Sequence, residues 1–274
     1  MLRRSQLYVP GNSEKMITKA ATLNADSVIL DLEDAVPASE KSRARALIAR
    51  LSDGLDWGKK ELCVRINAVG TPEHRADIAA VRQIDRVGSI LIPKAEGDCS
   101  PLGRASAKAL IPIVETARGL MTLDGLSRSK GVVALTYGAG DYASSVGGSI
   151  EAYLNNATVK TLIVAAARAN GVEAVDNVYF DLKDLAGFRA EAQAARSLGF
   201  VGKQAVHPSQ IPVANEVFSP TEKEVEWAAK VVREVERAGA QKRGAVRVDD
   251  KLVDAVHYRL AKGILERRSQ GRRG

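Results

Sequence analysis

Two apolar runs close together in the chain both end in carboxylates, and that spacing points to a shared site. Leu110-Ile111-Pro112-Ile113-Val114 is closed by Glu115, and Val132-Val133-Ala134-Leu135-Thr136 leads through Tyr137-Gly138-Ala139-Gly140 to Asp141. Short apolar runs that end in a polar residue and lead into a helical stretch read as strands of a parallel barrel, whose carboxyl-terminal ends carry function. Carboxylates on adjacent strands of such a barrel point into one mouth, near enough to share a hard divalent cation. The competing reading is local: each acid caps the following helix or pairs with a nearby arginine.

The other strand ends add a coherent set. Asp31, Glu33 and Asp34 follow the second run, Arg65 and Asn67 the third, and Lys94 and Glu96 the fourth. Asp176 closes the seventh, and Lys203, Gln204 and His207 belong to the eighth. Acids and cations converging on one mouth are costly to bury without a ligand or a metal. Oxygen ligands alone favour Mg2+ or Mn2+, and the lack of His and Cys at the ligand positions disfavours zinc. Such an ion keeps open positions where a 2-oxo or 2-hydroxy acid chelates, while Arg65 offers a cationic donor to a developing oxyanion. A strand-end lysine such as Lys94 can form a Schiff base; the surrounding acids favour an ion pair with Glu33, Asp34 or Glu96 instead. His207, just before Pro208, reads as a shaping or hydrogen-bonding residue. His74 and His257 receive no role.

Positioning these ends requires eight strands, expected at residues 6–9, 27–32, 62–66, 89–92, 110–114, 132–136, 173–176 and 202–205. Helical periodicity fills the gaps, as at 39–51, 72–81, 120–126, 158–169 and 184–198. Eight βα units in one series predict an α/β fold, a (β/α)8 TIM barrel over residues 1–218. No glycine fingerprint of the dinucleotide type follows the first strand, which weighs against a doubly wound sheet. A further helix is expected to be capped by Ser219, with Pro220 in its first turn and Glu222 completing a capping box; it ends near Gly239. Gln241-Lys242-Arg243-Gly244 and a polar segment from 245 to 261 follow, so residues 219–266 read as a carboxy-terminal helix and lid extension.

The 274 residues suffice for one such barrel, and the scarcity of aromatics (4%) beside abundant Ala, Val, Leu and Ile suits parallel strands buried on both faces. Four of the seven net positive charges are arginines within residues 267–274, which read as a disordered basic tail. An RNA-binding or non-catalytic partner role for that tail is the rival of another class, but the body shows no basic helix face, so no nucleic acid is expected as a partner. No run reaches the length of a membrane span and no signal peptide is evident, so a cytoplasmic protein with no membrane partner is expected. Cys63 and Cys99 have no metal-type spacing.

Several segments together resemble the citrate lyase β-subunit family, which includes malyl-CoA and citramalyl-CoA lyases within the HpcH/HpaI aldolase superfamily. They are Arg4-Ser5-Gln6-Leu7-Tyr8-Val9-Pro10-Gly11, Asp31-Leu32-Glu33-Asp34-Ala35-Val36, Val64-Arg65-Ile66-Asn67, Ile92-Pro93-Lys94, Val114-Glu115-Thr116, Gly138-Ala139-Gly140-Asp141 and Ala205-Val206-His207-Pro208-Ser209-Gln210. The resemblance implies Mg2+ on Glu115 and Asp141 and an aldol-type cleavage of a 3-hydroxyacyl-CoA. The products would be acetyl-CoA or propionyl-CoA and a 2-oxo acid. It further implies substrate contacts from Arg65, Gly140, Lys94, His207 and the Arg4 region, with Glu33 and Asp34 orienting Arg65. A lid motif matches around Asp254, an acid/base in the family that closes a neighbouring subunit of a homotrimer or higher homo-oligomer. Here Asp250 and Val256 replace the motif's Gly and Pro, and Tyr142-Ala143-Ser144-Ser145-Val146-Gly147-Gly148 departs from the family after Asp141. A free-acid aldolase or an acyl-CoA thioesterase on the same barrel is the alternative.

Overall fold

The computed structural model describes residues 1–240 and 245–273. The chain forms two compact units, Arg3–Phe218 and, separately, Met1–Leu2 with Ser219–Gly274. In the first unit eight parallel strands close into a barrel in chain order. They are β1 (Ser5–Pro10), β2 (Ser27–Asp31), β3 (Glu61–Arg65), β4 (Ser89–Ile92), β5 (Ala109–Val114), β6 (Ala134–Tyr137), β7 (Glu173–Asp176) and β8 (Gly202–Ala205). All eight lie within two residues of the expected runs. Period-two alternation sorts their side chains: Ile29, Cys63, Leu91, Ile111, Ile113 and Ala134 pack with Tyr8 in one cluster, and Leu7, Val28, Leu30, Leu62, Val64 and Ile90 join the larger core with the helices. Both faces are buried, as a parallel barrel demands.

Around the barrel run α1 (Glu14–Thr22), α2 (Lys41–Gly54), α3 (His74–Arg82), α4 (Ser100–Ser106), α5 (Ala117–Met121), α6 (Leu123–Arg128), α7 (Ala139–Val146), α8 (Ile150–Leu154), α9 (Ala157–Ala169), α10 (Leu185–Leu198) and α11 (Gln210–Val217). The helix expected over 120–126 is two helices parted at Thr122. Its hydroxyl donates to Arg118 O (2.9 Å) and accepts from Gly97 N (3.1 Å), competing with the helical ladder. The stretch after Asp141 is also helical: Ala139, Tyr142 and Ala143 bury one face of α7, and Gly147 ends it at φ +70°. Asp141 therefore stands in the first turn of a helix.

Asp176 corrects an expectation. Its side chain is fully buried and turns away from the mouth, with Oδ2 2.7 Å from Lys203 Nζ and Oδ1 2.8 Å from Lys160 Nζ on α9. Glu191 on α10 adds a contact to Lys203 at 3.1 Å. The seventh strand end thus serves a buried ion cluster between sheet and helices, where paired charges offset one another's desolvation.

The carboxy-terminal unit contains α12 (Glu222–Ala240), β9 (Val246–Val248), β10 (Lys251–Val253) and α13 (Ala255–Arg273). The capping box of α12 lies two residues later than expected: Thr221 N donates to Glu224 Oε2 (2.7 Å), and Glu224 N donates to Thr221 Oγ1 (3.2 Å). Glu222 instead pairs with Arg268. Ala228 and Val231 of α12 pack against Val248, Val253 and Ala261. A two-residue turn joins β9 to β10, and both turn residues, Asp249 (φ +48°) and Asp250 (φ +61°), take the left-handed conformation of a type I′ hairpin. Asp250 adopts there the left-handed backbone form that glycine favours. Residues 267–273, expected as a structureless tail, continue α13, and Arg268 is held by its ion pair across to α12. The linking residues 241–244 lie outside the described residues. Among the described residues no helix is long and apolar enough to cross a membrane.

Candidate active site

The carboxyl-terminal ends of the strands surround a cavity of about 480 Å3, lined by Asp31, Asp34, Arg65, Glu115 and Asp141 together with Val178, Phe180, Gln204 and Val206. Arg65 is the most constrained group in it. Asp31, its neighbour on β2, takes Nε at 2.7 Å and Nη2 at 2.6 Å, a bidentate fork. Asp31 is itself fixed by the backbone N–H groups of Glu33 (2.9 Å) and Ala35 (3.2 Å). Nη1 of Arg65 lies 2.9 Å from Glu33 and 3.4 Å from Asp34, and its guanidinium carbon sits 5.1 Å from the centre of the Tyr8 ring. All three nitrogens thereby have carboxylate partners while the group remains at the cavity wall.

Glu115 is buried, and Lys94 N donates to its Oε1 at 2.6 Å. To do so Lys94 adopts φ +49°, a left-handed conformation unusual for a side chain-bearing residue. The Lys94 ammonium reaches 3.0 Å from Glu33 and 3.7 Å from the half-exposed Asp141. Among the described residues, the carboxylates Asp31, Glu33, Asp34, Glu115 and Asp141 outnumber the cations that approach them, Arg65 and Lys94, with Lys41 held at the backbone oxygen of Glu33. Burial, helped by Asp141 and Glu33, pushes the Glu115 carboxyl up to about 8, and burial likewise raises Glu33.

This donor set suits a hard divalent cation. Glu115 and Asp141 offer oxygen only, and the uncompensated negative charge would be relieved by an ion between them. Gly138, between the two acids in sequence, leaves the room: a Cβ there would stand 2.4 Å from Glu115 Oε2 and 2.6 Å from its Cβ. Gly138→Ala is therefore expected to push the Glu115 carboxylate aside and weaken Mg2+ binding by about tenfold or more, measured by calorimetry. A cation held by Glu115 would compete with the proton there, so Mg2+ uptake below pH 8 would release a proton. Affinity then rises about tenfold per pH unit up to pH 8 and levels above it. Calorimetry in buffers of different ionisation enthalpy counts that proton; none released at pH 7 would remove Glu115 from the ion's ligands.

Of the residues expected at the site, Glu33, Asp34, Arg65, Lys94, Glu115, Gly140 and Asp141 gather at this mouth. Arg4 does not. It precedes β1, at the amino-terminal end of the barrel, with Nε 2.8 Å from Asp26 Oδ2. A residue before the strand lies at the end opposite its last residue, so Arg4 cannot contact a ligand in this mouth. His207 follows β8 but turns to its own loop, Nδ1 2.8 Å from Ser209 Oγ. Lys94 takes the ion-pair alternative. Asp254 belongs to the carboxy-terminal unit, where it precedes α13 and contacts His257. Asp31 and Tyr8 are the residues that sequence reasoning underweighted. Their signal was alternation: Tyr8 shares an inward face with Gln6, and Asp31 with Ile29.

Residues 4–100 and 102–208 match the HpcH/HpaI aldolase/citrate lyase family. A protein of Cereibacter sphaeroides named (3S)-malyl-CoA thioesterase is 35% identical over 272 residues, covering 96% of this chain and 93% of that protein. The L-malyl-CoA/beta-methylmalyl-CoA lyase of Rhodobacter capsulatus is 35% identical over 298 residues, covering 96% and 94%. Among solved structures, CitE from Mycobacterium tuberculosis in complex with magnesium, acetoacetate and coenzyme A superimposes with a TM-score of 0.80 at 31% identity, covering 97% of each chain. With the barrel and the acidic mouth in place, these likenesses show that the chain belongs to the HpcH/HpaI aldolase/citrate lyase family and is an enzyme of that carbon–carbon lyase family.

Proposed function

We propose that the protein is a cytoplasmic, Mg2+-dependent carbon–carbon lyase acting on a 3-hydroxyacyl-CoA of the malyl-, citramalyl- or citryl-CoA type. It cleaves or forms this thioester, with acetyl-CoA or propionyl-CoA and a 2-oxo acid on the other side. The observation that carries the reading is Arg65, locked by Asp31 and Glu33 in the same cavity as Glu115 and Asp141. Relatives named for malyl-CoA chemistry, and a structural relative holding magnesium and coenzyme A, support it.

Held by Glu115 and Asp141, Mg2+ (or Mn2+) would supply Lewis-acid polarisation of the hydroxyl and carboxylate oxygens of the acyl group. Arg65 stabilises the thioester oxygen as the breaking C–C bond delivers its electron pair to form an enolate. Asp31, Glu33 and Asp34 keep the guanidinium aimed so that little reorganisation accompanies that charge. Val178, Phe180 and Val206 add apolar lining to the same cavity. The hydroxyl gives up its proton to water at the mouth as its carbon becomes the carbonyl of the 2-oxo acid, and Asp254 gives the enolate carbon its proton; in condensation both transfers run in reverse. The test in the synthetic direction offers acetyl-CoA with glyoxylate, pyruvate or oxaloacetate and Mg2+. A 3-hydroxyacyl-CoA detected by mass spectrometry supports the lyase reading, and failure with all three counts against it.

A second reading, hydrolysis of the thioester to free CoA, has one observation in its favour. The same 96% of this chain aligns over 272 positions with the thioesterase but over 298 with the lyase, so the former alignment is less gapped. Among the described residues the cavity lining holds no Ser, Cys or His, so hydrolysis there would use water directly rather than an acyl-enzyme on such a side chain.

We further propose a homotrimer or higher homo-oligomer in which Asp254 serves a neighbouring subunit. Inactive Arg65→Ala and Asp254→Ala protomers, mixed under exchange conditions, are then expected to recover activity, because some mouths regain both residues. A mixture that stays dead would assign each Asp254 to its own barrel.

A further inference from the structure

The carboxy-terminal unit brings an acid and an imidazole into contact. Asp254 stands just before α13, and its Oδ1 accepts from the backbone N–H groups of Val256 (2.9 Å) and His257 (3.4 Å). Those bonds are the ordinary work of an aspartate at a helix N-terminus. A third partner is not: His257 Nδ1 lies 2.8 Å from the same oxygen. At the third helical position the usual residue is Glu or Gln, whose side chain accepts from the N–H of the cap.

His257 Nδ1 is also 3.4 Å from Asp254 N, so two arrangements compete for one nitrogen. A bare Nδ1 would accept that N–H but would then face the carboxylate oxygen as a second acceptor at 2.8 Å. A protonated Nδ1 donates to the carboxylate, and the shorter contact is satisfied. The geometry favours the second arrangement. Asp254 Oδ2 then has no hydrogen-bond partner among the described residues.

We propose that His257 is a positioning residue for Asp254: its Nδ1–H occupies Oδ1 and fixes the carboxylate, so that Oδ2 alone exchanges the proton with the substrate carbon. This rests on the reading of Asp254 as the acid/base. The same hydrogen bond holds the Asp254 carboxyl below the usual carboxylate range, which keeps it ionised and able to accept a proton. Nearby charges are otherwise engaged. Glu236 of α12 accepts from Tyr258 at 2.9 Å, Lys262 lies 5.2 Å from the Tyr258 ring, and on the hairpin Asp249 pairs with Lys230 and Asp250 with Arg247. Lys251 of β10 is exposed.

His257→Glu separates positioning from capping. Glutamate is the standard capping-box residue, so a purely structural role predicts wild-type activity and melting temperature, and that result would overturn the proposal. Positioning predicts that kcat falls about tenfold with KM unchanged, because the added anion removes the donor to Asp254. The acidic limb of the kcat profile should also move up by about one pH unit, since a like charge makes Asp254 harder to ionise. His257→Gln, which can still donate, should stay within about threefold of wild type. Asp254→Asn is the control: wild-type turnover there would reject the acid/base reading and the His257 role with it. A dead Asp254→Asn beside an unaffected His257→Glu would reject His257 alone. Independently of activity, the 15N resonances of His257 in the full-length protein are expected to show Nδ1 as the protonated nitrogen; a bare Nδ1 overturns the assignment.

Discussion

Glu115→Gln and Asp141→Asn are each expected to lower Mg2+-dependent turnover by about three orders of magnitude, the equivalent of ~4 kcal/mol, while the fold survives. The two acids are the oxygen donors that the geometry offers to the ion, and losing one removes both chelation and Lewis-acid polarisation. Stability should hold for a reason local to each residue. Glu115 is buried with its carboxyl raised, so a neutral amide costs less there than a carboxylate, and the Gln oxygen can still accept from Lys94 N. Asp141 is half-exposed, and its contact with Lys94 at 3.7 Å is a loose one. Thermal melts of the variants without metal, beside turnover at graded Mg2+, check both halves. Near-normal turnover in either variant at modest Mg2+ would refute the site.

Arg65→Lys should fail although it keeps the charge, with a fall in kcat of about 100-fold or more, by analogy with loss of an oxyanion donor. Asp31 binds Nε and Nη2 together, and Glu33 takes Nη1, so the guanidinium plane is fixed on two sides. An ammonium cannot fill those three positions, and it would leave the buried Asp31 short of partners. A charge that is present but free to swing no longer meets the enolate oxygen at its proper distance. Steady-state kinetics separates the possibilities: a change confined to KM would mean that Arg65 only binds substrate.

The barrel was legible because parallel strands buried on both faces leave continuous Val, Ile and Leu runs, and each run ends where a polar residue meets the mouth. That rule places Arg65, Lys94, Glu115 and Asp141 together without any contact being known. It fails where direction, rather than position along the strand, decides. Asp176 ends a strand as Asp31 does, yet it turns outward to Lys160 and Lys203, whereas Asp31 turns inward to Arg65. Arg4 lies in a stretch that resembles the family, but it precedes its strand and so sits at the far end of the barrel. The carboxy-terminal unit was harder still. Its hairpin turns on Asp249-Asp250 rather than on the Asn-Gly or Asp-Gly pair that announces a type I′ turn. His257 showed no partner in sequence because its partner is the residue that caps its own helix.

The most direct test of the central claim is to incubate the protein with (3S)-malyl-CoA and Mg2+ and quantify both product pairs in one chromatogram. A carbon–carbon lyase yields acetyl-CoA and glyoxylate in equal amounts, and both vanish when the metal is chelated. Free CoA and malate, with no glyoxylate formed, would contradict the account and make the protein a thioesterase.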